Sequence, residues 1–455
     1  MSDTQFDLIV LGTGPSGGTV ATEVASQGRR VAIVDVREFG GTCALRGCNP
    51  KKVFTNAAAV VDRVRRSQGK LLGRADVAID WPSLQQFKRE FTLPVLQNKE
   101  ASFREKGIAT YHGLARFVDN DNDGLKPRVD VGGTTLTADR VVIATGAMPI
   151  PLDFADSDCI SLSDDFLELE ALPERVVFIG GGYVSMEFAH VVARAGASAT
   201  VVERNPRVLS NFDPDLVDRL SDYSRRRGID IRTNSQVHAV SRDNDGSFIV
   251  KVDDQEIQAD LVIHGAGRVP NIRELNLTAA NVQYGDDGVV VDRHLRSPSN
   301  PNVFACGDCA ASEKARLTPV ANEQARVVAR NLFAEIPEAT EDSGPIAKVV
   351  FTTPTLTSVG LSQEQARKNY PQLVVHFEET SSSGSVRKTG GSVAAHKILI
   401  DSKTDQIVGA HLLGPAAEET INLFTLAIGN HLTTTNIKST LFAFPTFGHD
   451  VRQMV

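Results

Sequence analysis

Cysteine is scarce in this chain: five residues in 455, and an odd number. That argues against a scaffold held by disulfides, and a chain of this length can bury large cores without them. Basic residues are outnumbered, 48 Lys and Arg against 56 Asp and Glu, for a net charge of −8. This speaks against a broad nucleic-acid or anionic-membrane surface. No run of eighteen or more apolar residues exists, so no membrane-spanning helix is expected. The opening MSDTQFDLIVLGTG lacks a basic segment and has only a four-residue apolar run, so it does not read as a signal peptide. Low-complexity segments are absent as well. What remains is a globular chain of two to four domains, expected in the cytoplasm with neither a nucleic-acid nor a membrane partner. In that compartment a close cysteine pair is more often catalytic or metal-binding than structural.

One pattern occurs twice. FDLIVLGTGPSGGTVATEVASQGRRVAIVD and ERVVFIGGGYVSMEFAHVVARAGASATVVE each read as an apolar run, a glycine-rich turn, a helix-period stretch, a second apolar run and an acid. Gly12 and Gly180 lie 168 residues apart, and so do Asp35 and Glu203. A single GxGxxG is a weak signal. Two copies, each set between strand and helix and closed by an acid 23 residues on, are a strong one for two dinucleotide sites. Gly12 and Gly180 allow the tight turn, Gly14 and Gly182 let the backbone approach a pyrophosphate, and Gly17 permits close helix–strand packing. The pyrophosphate rests on a helix N-terminus, where free N–H groups and the dipole favour negative charge. Asp35 and Glu203 are the expected acceptors for ribose hydroxyls. Ser185 replaces the third glycine of the second copy, so looser packing is expected there.

RVVIATGAMP (140–149), DLVIHGAGRVPN (260–271) and NVFACGDCA (302–310) are strands that run into small residues. Beyond residue 341 the pattern changes. VVFTTPTLTSVGLS and HKILIDSKTDQIVGAHLLG, followed by the helical ETINLFTLAIGNHL, read as an α+β unit with an antiparallel sheet. The polar EIPEATEDSGP (335–345) marks a boundary. The fold class expected is α/β: two Rossmann-like dinucleotide-binding domains plus a C-terminal α+β domain. The pair Cys43 and Cys48 in GTCALRGCNPKK could be a redox dithiol, a metal site or two small core residues.

The two fingerprints, the GGTCALRGCNPKKV segment, ATG, CGD and the C-terminal module together resemble the flavoprotein pyridine nucleotide–disulfide oxidoreductases, the family of glutathione reductase, dihydrolipoamide dehydrogenase and mercuric reductase. The resemblance covers essentially the whole chain, with the motifs in the right order. It implies an FAD-binding domain (1–150 and 270–340), an NAD(P)-binding domain (151–269) and a dimerisation domain (341–455). It also implies a homodimer that passes electrons from NAD(P)H through FAD to the cysteine pair, and on to a small-molecule disulfide or related acceptor. By the same resemblance Cys48 is the thiol against the flavin and Cys43 the one that attacks the substrate. Exchange of this kind proceeds through a thiolate. A metal site would want further Cys or His ligands close by, and none lies within twenty residues of the pair.

Other positions follow one by one. Lys51 matches the lysine beside the flavin, Glu187 its carboxylate partner, and Tyr183 the gate that moves aside for nicotinamide. Asp308 matches the acid on the ribityl chain, and Thr318 a contact to the pyrimidine side of the isoalloxazine. Gly41, Thr42, Thr145, Gly146 and Arg268 fall on the motifs that line the cofactors. Cys306 and Cys309 form a CxxC inside the CGD segment and read as small buried residues rather than a second redox pair. Glu203 ends its strand as in NADH users. Arg204 matches one of the two arginines of NADPH users, but Ser210 stands in place of the other, so NADH is expected over NADPH.

The departures are informative. The family ends in HPTxxE, its His being the acid–base that protonates the leaving thiolate across the dimer interface. Here the segment is FAFPTFGHD, which puts Phe444 at the His position and His449 at the Glu position. A phenyl ring cannot relay a proton, so His449 becomes the candidate. The Phe/His dyad also resembles that of 2-ketopropyl-coenzyme M oxidoreductase/carboxylase, which cleaves a C–S bond and carboxylates the product. Metal-ion reduction and a non-catalytic redox sensor are the remaining alternatives. The first lacks support from an extra C-terminal cysteine pair, since the chain ends VRQMV. Of three substrate contacts in glutathione reductase, Glu23 replaces an arginine, Leu96 replaces a tyrosine and only Arg326 matches. A neutral or cationic acceptor is therefore expected rather than glutathione.

Overall fold

The structure, a computed structural model, describes residues 4–119, 126–154, 159–341 and 344–455. It divides into two compact units: Met1–Lys51, Phe87–Ile150 and Arg268–Ser343 in one, Lys52–Gln86, Pro151–Gly267 and Gly344–Val455 in the other.

The first unit is built on a sheet in which strands Ala109–His112, Val31–Asp35, Gln5–Leu11 and Thr134–Ile143 run parallel in that order. Val303–Ala305 also pairs parallel with Thr134–Ile143, and Arg128–Val131 and Ala115–Phe117 extend the sheet antiparallel. The run Leu8–Leu11 is unbroken in hydrophobicity because both faces of a parallel sheet are covered. Leu8 and Val10 pack with Val20, Ala21 and Val24 of the helix Pro15–Ser26. Ile9 and Leu11 belong to the opposite core with Val141 and Ile143. Each such side chain, once fully buried, contributes about 1.5–3 kcal/mol. The helix begins at Pro15, whose fixed φ suits a first helical position. No side chain caps its N-terminus at Gly14, which leaves its first N–H groups for a ligand.

The second unit holds a parallel sheet in the order Ile229–Arg232, Ser198–Val202, Arg175–Ile179, Leu261–His264. The helix Tyr183–Ala195 follows its glycine turn, again without a side-chain cap. Residues beyond Gly344 form a five-stranded antiparallel sheet: Lys348–Val350, Thr355–Gly360, Gln406–Gly414, Ala395–Asp401, Leu373–Glu379. Ile421 and Phe424 of the helix Ala417–Gly429, and Val451 of the helix Phe447–Met454, share a core with Ile398 and Ala410 of that sheet. The α/β class, with two Rossmann-like sheets and a C-terminal α+β module, is the one the sequence led us to expect. No helix among the described residues is long and apolar enough to cross a membrane.

Candidate active site

The first glycine turn is shaped by close approach. Gly12 has φ +107°, and a Cβ there would lie 2.3 Å from the Ala144 carbonyl oxygen. A Cβ on Gly17 would lie 2.0 Å from the Gly12 carbonyl oxygen. Gly14 is different: a Cβ there would meet only the Gly41 Cα, at 3.9 Å, so its outer side is open. Gly41, at φ +71°, lies so close that its own Cβ would fall 2.3 Å from the Gly14 Cα. The cysteine-bearing segment therefore starts on the dinucleotide turn itself.

Asp35 fastens this turn. Its Oδ2 accepts from the Thr13 amide (2.9 Å) and the Thr13 hydroxyl (2.5 Å), and its Oδ1 from the Arg37 amide (3.1 Å). The Thr13 Oγ1 in turn accepts from the Gly40 amide at 3.1 Å. Thr13 was invisible in the sequence, where it reads only as the spacer of GTG. Thr145 and Gly146 form the turn after the strand Thr134–Ile143, and the Asn271 amide donates to the Gly146 carbonyl (3.0 Å). Arg268 donates to the Ala147 carbonyl. Asp308 sits in the turn Gly307–Cys309, where burial pushes its carboxyl up against the opposing pull of Arg268 and Arg316. Cys306 and Cys309 are fully buried free thiols, and Cys309 donates to the carbonyls of Ile143 (3.3 Å) and Cys306 (3.4 Å). Burial raises both, as suits small core residues.

Cys43 lies on the short helix Gly41–Leu45, beside Thr42, and Cys48 opens the twenty-residue helix Cys48–Ser67. Cys43 is half-buried and Cys48 exposed. The Thr318 hydroxyl, at the start of the helix Thr318–Asn331, comes within 3.2 Å of the Cys43 sulfur and 3.7 Å of the Cys48 sulfur. The hydrogen bond with Cys48, then burial, push the Cys43 thiol far up, with Thr318 opposing. Cys43 is thus the partner that keeps its proton. Cys48 stands at a helix N-terminus, where the dipole favours negative charge.

In the second unit Glu187 is fully buried. Its oxygens accept from the Lys52 ammonium at 2.9 and 3.0 Å, and Oε1 also accepts from the Phe351 amide at 2.8 Å. The Lys52 Nζ stands 3.7 Å from the centroid of the Phe351 ring. Glu187 is therefore paired with Lys52, one residue beyond the lysine that the resemblance puts beside it; Lys51 is itself buried. Tyr183, the first residue after Gly182, is half-exposed. Gly180 repeats the geometry of Gly12, with φ +94°. Ser185 does not loosen its turn as expected. It is fully buried, and the facing Gly265 supplies the room, since a Cβ there would fall 1.9 Å from the Ser185 hydroxyl oxygen. Glu203 accepts from the Gly181 amide (2.7 Å), the Asn205 amide (2.8 Å) and the Asn205 side chain (2.6 Å). Arg204 is exposed.

At the C-terminus Thr446 caps the helix Phe447–Met454, its hydroxyl accepting from the His449 amide at 3.1 Å. Phe444 is 78% exposed and stands edge-on to the His449 ring, centroids 5.0 Å apart. The His449 Nδ1 is buried without a hydrogen-bond partner among the described residues.

Comparison with known proteins agrees with this architecture. Residues 6–325 match the model of the pyridine nucleotide-disulphide oxidoreductases, and residues 346–455 that of their dimerisation domain. A glutathione reductase from Burkholderia cepacia is 30% identical over 452 residues, covering 99% of this chain and 98% of its own. A dihydrolipoyl dehydrogenase from Chlamydia pneumoniae is 31% identical, covering 97% and 94%. Among solved structures, the HOCl-induced flavoprotein disulfide reductase RclA from Escherichia coli is 25% identical with a TM-score of 0.85, covering 98% and 99%. The chain belongs to the pyridine nucleotide–disulphide oxidoreductase family. It is an FAD-dependent enzyme that transfers electrons between NAD(P)H and a disulfide. The residues present fit FAD: the open side of Gly14, the uncapped helix behind it and the part-buried Asp308 form a cradle that a side chain at residue 14 would fill.

Proposed function

We propose that Cys43 exchanges with the acceptor while Cys48 faces the flavin, that the acceptor is a small disulfide other than glutathione, and that NADH is the reductant. The Gly14–Gly41 contact carries this reading, because it joins the cysteine segment to the dinucleotide turn. FAD, when bound between Gly14, Asp308 and Thr318, relays the electron pair from nicotinamide to the cysteines. Cys43, once deprotonated, attacks one sulfur of the acceptor disulfide and expels a thiolate. Cys48 then attacks the mixed disulfide and releases the second thiol. The leaving thiolate needs a proton, which Phe444 cannot give. We assign that role to His449, supplied across a homodimer interface.

Charge supports the choice of acceptor. Glu23 brings a carboxylate where glutathione reductase has an arginine, Leu96 is exposed, and Arg326 is tied to Glu323 at 3.1 Å. Glu203 sets a carboxylate where a 2′-phosphate would lie, with Arg204 alone to offset it. Steady-state rates with the cationic disulfide cystamine and the anionic glutathione disulfide, each with NADH and NADPH, test both points. Cystamine with NADH is expected to win by at least about tenfold in kcat/KM, since like charges across an interface cost several kcal/mol. The opposite order overturns the proposal. The cysteine roles have their own test. Two-electron reduction of the FAD-loaded protein is expected to give a long-wavelength charge-transfer band that Cys43→Ser keeps and Cys48→Ser loses.

A second reading rests on Phe444. With an aryl ring in place of a proton donor, a carbanion formed by C–S cleavage survives long enough to meet carbon dioxide. Incorporation of labelled bicarbonate into a β-keto thioether substrate would mark that chemistry; without incorporation, disulfide reduction stands alone.

A further inference from the structure

The domain Gly344–Val455 contains a cavity of about 170 Å³. Engineered cavities of roughly 150 Å³ take up benzene, so this one suits an occupant of similar bulk. It lies between the start of the strand Ala395–Asp401, the loop around residues 380–383 and the helix Phe447–Met454, and no residue assigned above to catalysis or cofactor binding lines it. Leu412, Phe447 and Met454 give it an apolar wall.

Its polar groups point to a ligand. His396 lines the cavity, is 3% exposed, and its Nδ1 has no hydrogen-bond partner among the described residues. A buried polar atom left unmatched costs free energy. Burial, with His376 nearby, lowers its pKa to about 4, so the ring is neutral at physiological pH. Glu378 and Asp450 line the same cavity, and neither has an ion-pair partner among the described residues. No Lys or Arg lines it. Lys388 lies close by, 5.9 Å from the centroid of the Phe447 ring, but its ammonium donates to the Pro445 carbonyl at 3.4 Å. Among the described residues no three His, Cys, Asp or Glu gather to hold a metal ion. Two carboxylates without a counter-charge beside an apolar wall suit a cation with a hydrocarbon body.

We propose that this cavity binds a small aliphatic amine, with its ammonium at Asp450 and Glu378, its carbon chain along Leu412, Phe447 and Met454, and the neutral His396 as a hydrogen-bond partner. Phe447 and Asp450 stand on the same eight-residue helix as His449, so an occupant braces the helix that carries the proposed proton donor. The binding does not depend on the disulfide chemistry, and its test reads heat rather than turnover. 1,4-Diaminobutane is titrated calorimetrically into the FAD-loaded full-length protein, with 1,4-butanediol as its uncharged match. Saturable binding of the diamine is expected, at least about tenfold tighter than the diol, since an ion pair desolvated at its partner is worth more than the 1.4 kcal/mol that a factor of ten represents. Asp450→Asn and Glu378→Gln are each expected to weaken it while leaving Tm in place. Absence of binding, equal binding of the diol, or unchanged affinity in both variants overturns the proposal. So does a crystal in which a second copy of the chain fills the cavity.

Discussion

The chemistry turns on a few side chains whose surroundings, more than their identity, set their roles. Cys43 and Cys48 share the Thr318 hydroxyl, yet only Cys43 is half-buried and pushed up in pKa by its neighbour. That asymmetry is what an exchange thiol and a flavin-side thiol require. His449 offers a similar case. Its ring is held edge-on by Phe444 and its Nδ1 has no partner among the described residues, which leaves it able to move a proton. A general acid works only while protonated, so activity falls as pH rises through its pKa. In His449→Ala the alkaline limb of the kcat/KM profile with a disulfide acceptor is expected to disappear and the plateau to drop by about a hundredfold, the lower end for general acid catalysis. Superimposable profiles would remove His449 from this duty.

Elements position these side chains through contacts that tolerate little change. Gly41 combines a left-handed φ with an approach to Gly14 that leaves no room for a methyl group. Gly41→Ala is expected to store about 1–3 kcal/mol of backbone strain and to purify with a markedly lower ratio of flavin to protein absorbance; full occupancy would show that the turn adapts. The helix Pro214–Arg226 is anchored in another way. Asp213 caps it, accepting from the Leu216 amide, and also receives the almost fully buried Lys397 at 2.7 Å. Asp213→Ala strands that lysine and removes the cap, so urea titration should show a loss of about 3–5 kcal/mol. Asp215, which also meets Lys397 but is more than half exposed, should matter far less: Asp215→Asn is expected to cost under about 1 kcal/mol. Lys397 lowers the Asp215 carboxyl. Its contribution is therefore present above the ordinary carboxylate range and fades as pH falls through the lowered value.

At the scale of the whole molecule, buried neutral histidine sets an acid limit on stability. His396 has a pKa lowered to about 4 by burial, against about 6.5 in an unfolded chain. The unfolded state therefore takes up a proton first as pH falls. Stability is complete above pH 6.5 and erodes between 6.5 and 4, by up to about 3 kcal/mol for this one group. His396→Gln should flatten the pH dependence of the urea midpoint across that window; an unchanged slope would shift the origin to other groups. The acidic balance of the chain matters differently. It works against anionic acceptors at long range, and added salt should narrow the preference for cystamine over glutathione disulfide.

What the chain announced on its own was local. Glycine spacing, apolar runs of sheet length and the acid closing each βαβ motif are encoded within about thirty residues, and short-range sterics enforce them whatever lies elsewhere. The two Rossmann-like sheets, the C-terminal α+β module and the cysteine pair were legible for that reason. What only the tertiary structure decided were contacts between residues far apart in the chain. Thr318 meets Cys43 across 275 positions, and Glu187 receives Lys52 across 135. Gly265 makes room for Ser185 from another strand end, and Thr13 ties Asp35 to Gly40. Neighbouring lysines on one helix differ by about 100° in direction, and no local pattern says which of them will face a carboxylate. Close packing fixes such choices, and packing exists only once the segments have met.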